Sequence, residues 1–506
     1  MNWKQYKNLP ENEKRNENYY IIGLDLGNDS SCIAFYNKGA KEAEIIDLSG
    51  GYGHPTIPTA MQYVVDSKEW VFGEYVILNS DIGEEFTVKD LIERLGSSEY
   101  LEISGRPISL VNLLGMFIRE LISKVKNINP NAEIVGIVAA VPSYLSAQAR
   151  EELVRAFKNA GYEKELIDLV SDNECIFSYA DEIPKTSLLI DYGARGVRGG
   201  VFESNDTSIR TVTALFDDML GTKSMEKEVQ KLFSSFYKTN TKTEPAQEQI
   251  AAFTYQHKDI LFQKAIQAKA AKLYFNFAFP PFQQTVNAKH ANTIIEPFRE
   301  GFNQFIQQLT GVKPIDKVIC VGGGFEMLWV KEAIAKFFSP DKICEYKNSK
   351  IIAALGAAFT AAKRLDVAEG QVLSIEDRHH VPMDVGLLVG DNSFMPLVEY
   401  NSFWWKPHPP HFFIINNPVE RGEELPFTLL SRTQTGEIKT LVNTRLRGLP
   451  KRPKGTTKLQ VQIKFSSDRE AIATVRDYGF GELFPRTDFE QEILVRLGES
   501  HELGIV

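Results

Sequence analysis

Two aspartates in this sequence share a local pattern that suits the binding of phosphate and metal ions. Asp25 and Asp191 each follow an apolar run, and a glycine, Gly27 or Gly193, comes two positions later. A carboxylate on a strand, beside backbone that can approach an anion closely, suits a nucleotide phosphate that carries a divalent cation. The alternative is an ordinary hairpin whose aspartate is a turn residue.

The repetition of this pattern indicates the architecture around it. Residues 20–35 and 187–202 each predict a strand, a tight turn and a second strand. Internal repetition is informative about how a large domain is built. We expect the two hairpins to face each other across a cleft and grip one phosphate chain, with Asp25 and Asp191 as the metal ligands.

A glycine triplet provides a third candidate site. Gly322, Gly323 and Gly324 directly follow a predicted buried strand at 317–321, and a helix is predicted from about Phe325. The unpaired N–H groups of a helix start make this arrangement an anion or ring-edge site. A tight turn that needs no ligand fits the pattern equally well.

Apolar periodicity predicts the elements that position these residues. Residues 133–141 predict a buried strand, and the residues after Ser146 have the apolar spacing of a helix that Gly161 ends. A short strand at 167–170 precedes a helix that runs through Tyr179.

The later part of the chain predicts first helices and then strands. The alanine-rich stretch 247–276 is the longest helix candidate, and 353–364 predicts a tightly packed helix. From residue 384 helical patterning fades, and alternation within 459–465 and 493–497 predicts half-buried strands. Several short strands of this kind predict a β-sandwich.

Composition limits the class of protein. The chain has 506 residues, which predicts two or three domains, and its 43% hydrophobic and 24% charged residues are typical of globular proteins. The net charge of −9 argues against nucleic-acid binding, so a basic run from Arg445 to Lys458 is interpreted as a solvated loop. Four widely spaced cysteines, and the lack of a signal peptide or membrane span, predict a cytoplasmic protein with buried thiols.

The order and spacing of these motifs resemble the seventy-kilodalton heat-shock chaperones of DnaK type, over about residues 20–497. The two hairpins resemble the phosphate motifs of that family, and Val321 to Gly324 resembles its adenosine motif. Gly221 lies in a turn that resembles the family's second adenosine-binding glycine turn. Residues 141–150 resemble the segment that relays signals between domains in that family.

This resemblance implies an α/β fold, with an actin-like (ribonuclease H-like) ATPase domain of two lobes followed by a β-sandwich that binds extended peptide. It predicts a flexible leader at 1–18, the nucleotide-binding domain at 19–366, a linker at 367–383 and the sandwich at 384–500. The helical lid of the family is not expected, because the sequence ends at Val506.

The resemblance also implies roles for individual residues. Asp25, Asp191 and Asp172 would be the catalytic carboxylates, with Glu174 as the alternative to Asp172. Asp25 and Asp191 would also hold Mg²⁺. ATP or ADP would be bound by residues in and around the motifs, namely Gly27, Asn28, Gly193, Arg195, Gly221, Gly322, Gly323 and Gly324.

Several positions depart from the family pattern. Ile77 stands where the family has a lysine that positions the attacking water, and loss of such a group raises the reaction barrier by roughly 3–4 kcal/mol. Gly196 replaces the threonine of the second loop, Arg198 replaces its second carboxylate, and Asp29 adds a negative charge near the phosphates. The adenine clamp is also altered, at Gln267, Ala270 and Ala271.

These departures predict that ATP hydrolysis is slow or lost. Arg195 and Arg198 would then supply cationic contacts to phosphate; alternatively, they are surface side chains or pair with Asp29. The first hypothesis is a DnaK-like chaperone relative that binds ATP or ADP with Mg²⁺ in the cleft. Its expected partners are extended polypeptide segments and co-chaperones, with no nucleic acid and no membrane.

Two other hypotheses come from different classes. The first is a catalytically degenerate scaffold or regulator that uses the fold to bind partners. The second is a sugar-kinase-like transferase, which the predicted sandwich and the missing catalytic groups disfavour.

Overall fold

A computed structural model of the chain describes most residues from Trp3 to Leu497. The described residues are 3–14, 16–49, 53–78, 87–97, 99–103, 105–142, 145, 147–180, 184–205, 208–265, 270–344, 346–369, 374–376, 381, 383–390, 393–400, 402, 404, 408–420, 422–433, 436–465 and 470–497. Three features of the sequence analysis lie outside these ranges: Ser146, which precedes a predicted helix, the clamp residue Gln267, and much of the predicted linker.

The chain divides into two compact units. The first comprises Met1–Arg210 and Phe216–Glu376, and the second comprises Thr211–Leu215 and Asp377–Val506. The division after Glu376 falls within the predicted linker at 367–383.

Twelve α-helices occur among the described residues, all within the first unit. They are α1 (Trp3–Lys7), α2 (Glu11–Lys14), α3 (Glu74–Leu78), α4 (Leu110–Ser123), α5 (Val125–Ile128), α6 (Ala147–Asn159), α7 (Asp172–Tyr179), α8 (Thr222–Thr241), α9 (Gln247–Asp259), α10 (Ala288–Thr310), α11 (Leu328–Phe337) and α12 (Ile352–Arg364).

The strands of the described residues fall into two groups. Up to Glu376 they are β1 (Tyr19–Leu26), β2 (Ser30–Asn37), β3 (Glu42–Ile45), β4 (Thr56–Pro58), β5 (Met61–Val64), β6 (Glu69–Phe72), β7 (Thr87–Val88), β8 (Tyr100–Ile103), β9 (Arg106–Ser109), β10 (Glu133–Val141), β11 (Ile167–Ser171), β12 (Thr186–Tyr192), β13 (Val197–Ser204), β14 (Ser208–Asp217), β15 (Ala270–Phe275), β16 (Phe282–Asn287), β17 (Lys317–Val321), β18 (Ile343–Cys344) and β19 (Ser374–Glu376). Beyond it they are β20 (Asp384–Val389), β21 (Ser393–Val398), β22 (His411–Ile415), β23 (Leu425–Arg432), β24 (Ile438–Leu446), β25 (Thr457–Phe465), β26 (Glu470–Asp477) and β27 (Glu490–Arg496).

Two six-stranded sheets are built on the same plan. The order is β11-β10-β1-β2-β3 in one, with β4 also paired to β2, and β18-β17-β12-β13-β14-β19 in the other. In both, the strand that carries the Asp-x-Gly aspartate pairs antiparallel with the next strand in sequence. It also pairs parallel with a later strand, β10 or β17. The two predicted hairpins are confirmed, and β1 and β12 hold equivalent positions.

Helix α12 packs against β1 and against helix α7 at distances that only glycine allows. A Cβ atom at Gly23 in β1 would lie 2.1 Å from the backbone nitrogen of Ala358, and one at Gly356 would lie 1.8 Å from the carbonyl oxygen of Cys175 in α7. Apolar side chains of β2, α7, β12, β17 and α12 form one hydrophobic cluster here. This core holds the β1 and β12 hairpins in one region of the first unit.

The N-terminal segment differs from the flexible leader that we expected at 1–18. It contains α1 and α2, and the side chain of Tyr6 is fully buried. The Tyr6 hydroxyl donates to the carbonyl oxygen of Lys14, and its ring meets that of Tyr19 edge-on at 5.9 Å. A few aromatic side chains therefore order a segment whose overall composition is polar.

The predicted helix at 247–276 is also wrong beyond its first half. Helix α9 ends at Asp259, a π-helical turn covers Ile260–Ala265, and 270–275 is strand β15, paired antiparallel with β16. Phe275 is buried in β15 and stacks on Phe282 of β16 at 4.6 Å. Aromatic packing outweighs the helical propensity of the alanines.

The other predicted elements fare better. The strands β10, β11, β25 and β27 and the helices α6, α7 and α12 occur where the sequence predicts them. The predicted helix after the glycine triplet begins later, because a 3₁₀ turn at Gly323–Glu326 precedes α11.

From residue 384 onward, the described part of the second unit is built on two four-stranded antiparallel sheets. Their orders are β21-β20-β23-β24 and β22-β25-β26-β27, and side chains from both sheets form one hydrophobic cluster. The strands β25 and β26 alternate regularly between buried and more exposed residues. Each sheet therefore turns one face toward the shared core.

Two further observations concern the chain as a whole. The four cysteines form no disulfide; Cys32, Cys175 and Cys320 are buried and Cys344 is partly buried, which confirms the expectation of buried thiols for three of them. Among the described residues, no helix is both long enough and apolar enough to cross a membrane.

Candidate functional site

The two Asp-x-Gly aspartates lie near the ends of equivalent strands, and the charge of Asp191 acts on Asp25. Asp25 is level with Cys32 across the first hairpin, and Asp191 is level with Arg198 across the second. Burial is the largest cause of a raised pKa at Asp25, and the negative charges of Asp191 and of Asp172, at the start of α7, raise that pKa further. The structure therefore brings the three predicted catalytic carboxylates together.

Arg198 links two of these carboxylates. Its Nη2 atom donates a hydrogen bond of 2.6 Å to Asp172 Oδ2 and also donates to Asp191 Oδ2. The side chains of all three residues are mostly shielded from solvent, with Asp172 only 9% exposed. The alternative interpretation of Arg198, as a surface side chain or a partner of Asp29, is wrong, because Arg198 is mostly shielded from solvent and pairs with Asp172 and Asp191. The contact of Arg198 with phosphate stays a prediction.

The Asp25 carboxyl group has a strongly altered acidity. Loss of hydration is the largest cause, and together with the charges of Asp191 and Asp172 it raises the pKa of Asp25 to about 7. Arg198 and Lys350 oppose this shift with their positive charges. At neutral pH a large fraction of Asp25 is therefore protonated, whereas an ordinary aspartate would be ionised.

The glycine triplet lies beside this cluster. Gly322 has φ +93° and ψ 156°, and a Cβ atom there would lie 2.4 Å from Asp191 Oδ1. The next glycine is more open, since a Cβ at Gly323 would lie 3.6 Å from side-chain carbons of Lys350. The Asp-x-Gly turn of β12 and the glycine triplet thus meet at one place, as the family resemblance implies.

The second Asp-x-Gly loop satisfies its own backbone groups. The N–H of Gly193 donates to the carbonyl oxygen of Gly196 at 2.9 Å, and the carbonyl oxygens of Gly193 and Ala194 accept from the N–H groups of Thr222 and Lys223. Gly221, at the N-terminal cap of α8, approaches the same loop closely, since a Cβ there would lie 2.4 Å from the Ala194 oxygen. The loop therefore caps α8, and the Gly193 N–H forms its hydrogen bond within the loop.

Glu93 ties the two loops together. Its backbone N–H donates to Asn28 Oδ1 at 2.8 Å, and its carboxylate forms an ion pair with Arg195. Two residues predicted to contact nucleotide, Asn28 and Arg195, are thereby joined through a third residue that the sequence analysis did not identify.

A second set of charges reinforces this link. Lys223, at the start of α8, lies 2.9 Å from Asp90 Oδ1 and 3.9 Å from Asp29 Oδ1. The negative charge of Asp29, predicted to oppose phosphate binding, is thus partly offset by a neighbouring cation.

The structure also separates two alternatives for the catalytic carboxylate. Glu174 lies in α7 near Asp172, but its Oε1 atom forms a 3.0 Å ion pair with Arg364. Asp172 lies with Asp25 and Asp191 instead.

The structure also places three residues that depart from the family pattern. Ile77 lies half-buried in α3, and Ala270 and Ala271 lie in β15.

Lys350, like Glu93, is a residue of this region that the sequence does not reveal. It comes just before α12 and is half-buried, with its positive charge acting on Asp25. Within the part of the chain that the structure describes, its ammonium group forms no ion pair. It follows no recognisable motif, so only the spatial meeting of 349–351 with the glycine triplet reveals it.

The residues present do not fit the Mg²⁺ ion that the family resemblance implies. Two of the three carboxylates already bind the guanidinium of Arg198, and the third has a pKa of about 7. Among the described residues, no group of three or more His, Cys, Asp or Glu side chains is arranged to hold a metal ion. Asp25 and Asp191 are therefore poorly suited to the metal-binding role predicted from the sequence.

The structure of the second unit corrects one prediction and adds one observation. Arg452, part of the basic run interpreted as a solvated loop, is buried and donates hydrogen bonds of 2.8 and 2.7 Å to both carboxylate oxygens of Asp477. Phe412 is exposed on β22, while Phe413 packs against the shared core.

Comparison with known families gives two matches. Residues 42–244 match the model described as "Family of unknown function (DUF5716) C-terminal", and residues 383–497 match "Domain of unknown function (DUF8552)". The first match includes Asp172, Asp191 and Arg198 and begins after Asp25. The second match spans the two antiparallel sheets. Neither description states an activity.

Proposed function

We propose that the first unit binds ATP or ADP where the two Asp-x-Gly hairpins and the glycine triplet meet. The protein would then be a DnaK-like chaperone relative whose ATP hydrolysis is slow or lost. The observation that carries the proposal is the convergence of Asp25, Asp191 and Gly322 from three separate stretches of sequence. The shared strand order of the two six-stranded sheets supports an actin-like architecture.

The chemistry of the cluster supports the second half of the proposal. Hydrolysis of a phosphoanhydride needs charge stabilisation at the transferred phosphoryl group and a positioned water. Ile77 supplies no charge, and Arg198 engages the carboxylates that would orient a metal ion or water. Lys350 remains as a cation suited to a phosphate contact.

For the second unit we propose binding of extended polypeptide, with co-chaperones as further candidate partners. The support is two antiparallel sheets around one core, as in a β-sandwich, with Phe412 and Ile414 exposed on the strand β22. We also propose a cytoplasmic location, which is supported by four cysteines that form no disulfide.

A scaffold that binds no nucleotide is the second candidate function. The links from Glu93 to Asn28 and Arg195, and from Lys223 to Asp90, favour it, because they hold the loops together without a ligand.

Thermal melting with ATP or ADP distinguishes the two candidates. A ligand at about 100 times its Kd stabilises the folded state by about 2.7 kcal/mol, so the first candidate predicts a clear rise in Tm. Gly323→Val, which fills the space beside Lys350, should reduce that rise. Phosphate release should stay near the blank. An unchanged Tm with both nucleotides would favour the scaffold, and turnover like that of an ordinary DnaK-type ATPase would refute lost hydrolysis.

A further inference from the structure

We propose that Arg198 takes the place of a divalent cation between the two hairpins, so that this cluster is a metal-independent site. The first observation is geometric. One guanidinium nitrogen, Nη2, contacts Asp172 Oδ2 and Asp191 Oδ2 together, as a bound metal ion would bridge two carboxylates. The guanidinium cannot deprotonate at any physiological pH, so its positive charge is permanent.

The balance of charge around the cluster leads to the same conclusion. Three carboxyl groups, from Asp25, Asp172 and Asp191, share the region with Arg198 and Lys350. With all three carboxyl groups ionised, the net charge of these five groups is −1, so Arg198 and Lys350 already offset most of the negative charge. A divalent cation would enter a site that already holds two positive charges, and it would have to displace Arg198 from mostly shielded partners.

The position of Arg198 in the sheet keeps its guanidinium close to Asp191. It is the direct cross-strand partner of Asp191 in the β12–β13 ladder, so the backbone register fixes its distance from that carboxylate. In the equivalent hairpin the residue opposite Asp25 is Cys32, a buried thiol. Only one of the two hairpins therefore carries a built-in cation.

The inference rests on the proposed function only for the identity of the ligand, which would be a nucleotide phosphate bound without magnesium. The arrangement of Arg198 with the carboxylates does not depend on whether nucleotide binds. A metal titration without nucleotide therefore tests the inference separately.

The test is thermal melting of the wild-type chain and of Arg198→Gln, each in EDTA and in Mn²⁺. We expect Mn²⁺ to leave the wild-type Tm unchanged. Arg198→Gln should melt at lower temperature in EDTA, because two carboxylates lose their shared cation, and Mn²⁺ should restore part of the loss. Electron paramagnetic resonance should detect Mn²⁺ bound to the variant with at least roughly tenfold higher affinity than to the wild type.

Arg210→Gln is the matched control, since it removes an exposed arginine that pairs with Glu203 outside the cluster, and it should gain no Mn²⁺ site. Tight Mn²⁺ binding by the wild type that Asp191→Asn abolishes would overturn the inference. So would a folded Arg198→Gln that gains no site. If Arg198→Gln folds only when Mn²⁺ is present, the inference is supported, and if it folds in neither buffer, the inference is overturned.

A nucleotide titration separates this inference from the proposed function. If ATP fails to bind the wild type in either buffer, the proposed function is wrong, while the metal titration still decides the role of Arg198. If ATP binds only when Mg²⁺ is present, metal independence is wrong and nucleotide binding stands.

Discussion

Arg198 lies opposite Asp191 in one hairpin, and Cys32 lies opposite Asp25 in the other. The same sequence pattern therefore places its two aspartates in different electrostatic surroundings. Asp191 is held by a permanent cation. Asp25 faces a thiol whose own pKa is raised, by burial and then by the charge of Asp25, so that the thiol stays neutral. The partner across the ladder, and not the Asp-x-Gly pattern alone, determines the chemistry of each aspartate.

The acidity of Asp25 predicts a specific pH dependence of stability. Its pKa rises from 3.8 in the unfolded chain to about 7 in the folded state, so the folded state holds the proton more tightly. The contribution is full below pH 3.8 and is lost as the pH rises to about 7. At 1.36 kcal/mol for each pH unit, the change is about 4 kcal/mol.

Urea unfolding of the wild type and Asp25→Asn across this range measures the effect. As the pH rises from about 4 to 7, the wild type should lose stability relative to Asp25→Asn. Above pH 7 the difference in free energy of unfolding between the two proteins should stay constant. A difference that does not vary with pH would show that the acidity of Asp25 is ordinary.

Gly322 and Gly323 form a matched pair for substitution. Gly322→Ala places a Cβ atom against Asp191 in a backbone conformation that is essentially restricted to glycine, so we expect a loss of about 1–3 kcal/mol. Gly323→Ala makes only an ordinary contact with Lys350 and should be neutral or slightly stabilising. Chemical denaturation measures both. Equal stability of the two variants would contradict the close contact between the triplet and Asp191.

At the scale of elements, local sequence patterns predict the strands and helices that carry the aspartates. Buried strands such as β10 have strong apolar runs, and the hairpins have glycine and polar turn residues, so both can be predicted from the local sequence. The strand β15 cannot, because its conformation depends on the packing of Phe275 against Phe282 across two strands. Lys350 and Glu93 join the candidate site through tertiary contacts alone, and no spacing in the sequence encodes them.

The N-terminal segment offers a test at this scale. Tyr6→Ala removes a fully buried ring and its hydroxyl contact with Lys14, so it should lower the free energy of unfolding by about 3–5 kcal/mol. Tyr6→Phe should lose only about 1 kcal/mol. Tyr100→Ala is the control, since that side chain is 69% exposed. Wild-type stability of Tyr6→Ala would restore the view that 1–18 is a flexible leader.

At the scale of the whole molecule, each of the two units has its own hydrophobic core, and each matches a different family model. The second unit also contains a buried ion pair, Arg452 with Asp477, and Asp477 accepts further hydrogen bonds from the Thr487 hydroxyl and the Gly479 N–H. Stability of the second unit therefore depends on a polar network as well as on apolar packing.

Arg452→Met tests this network. It leaves the buried Asp477 carboxylate without its cation, so we expect a loss of about 3–5 kcal/mol in unfolding of the second unit. The control is Arg476→Met, which breaks an exposed pair with Glu490 and should leave the unfolding transition unchanged. Limited proteolysis and chemical denaturation report the effect. Equal behaviour of the two variants would mean that Arg452 is a solvated loop residue, as the sequence suggests.

Calorimetric titration of the full chain with ATP, in EDTA and in Mg²⁺, tests the central claim most directly when Lys350→Ala is compared with the wild type. The claim predicts wild-type binding of similar affinity in both buffers. It also predicts roughly tenfold or greater weakening in Lys350→Ala, because a charge-assisted phosphate contact is lost, and no change in the exposed neighbour variant Lys347→Ala. No heat of binding in the wild type, or equal affinity in wild type and Lys350→Ala, would contradict it.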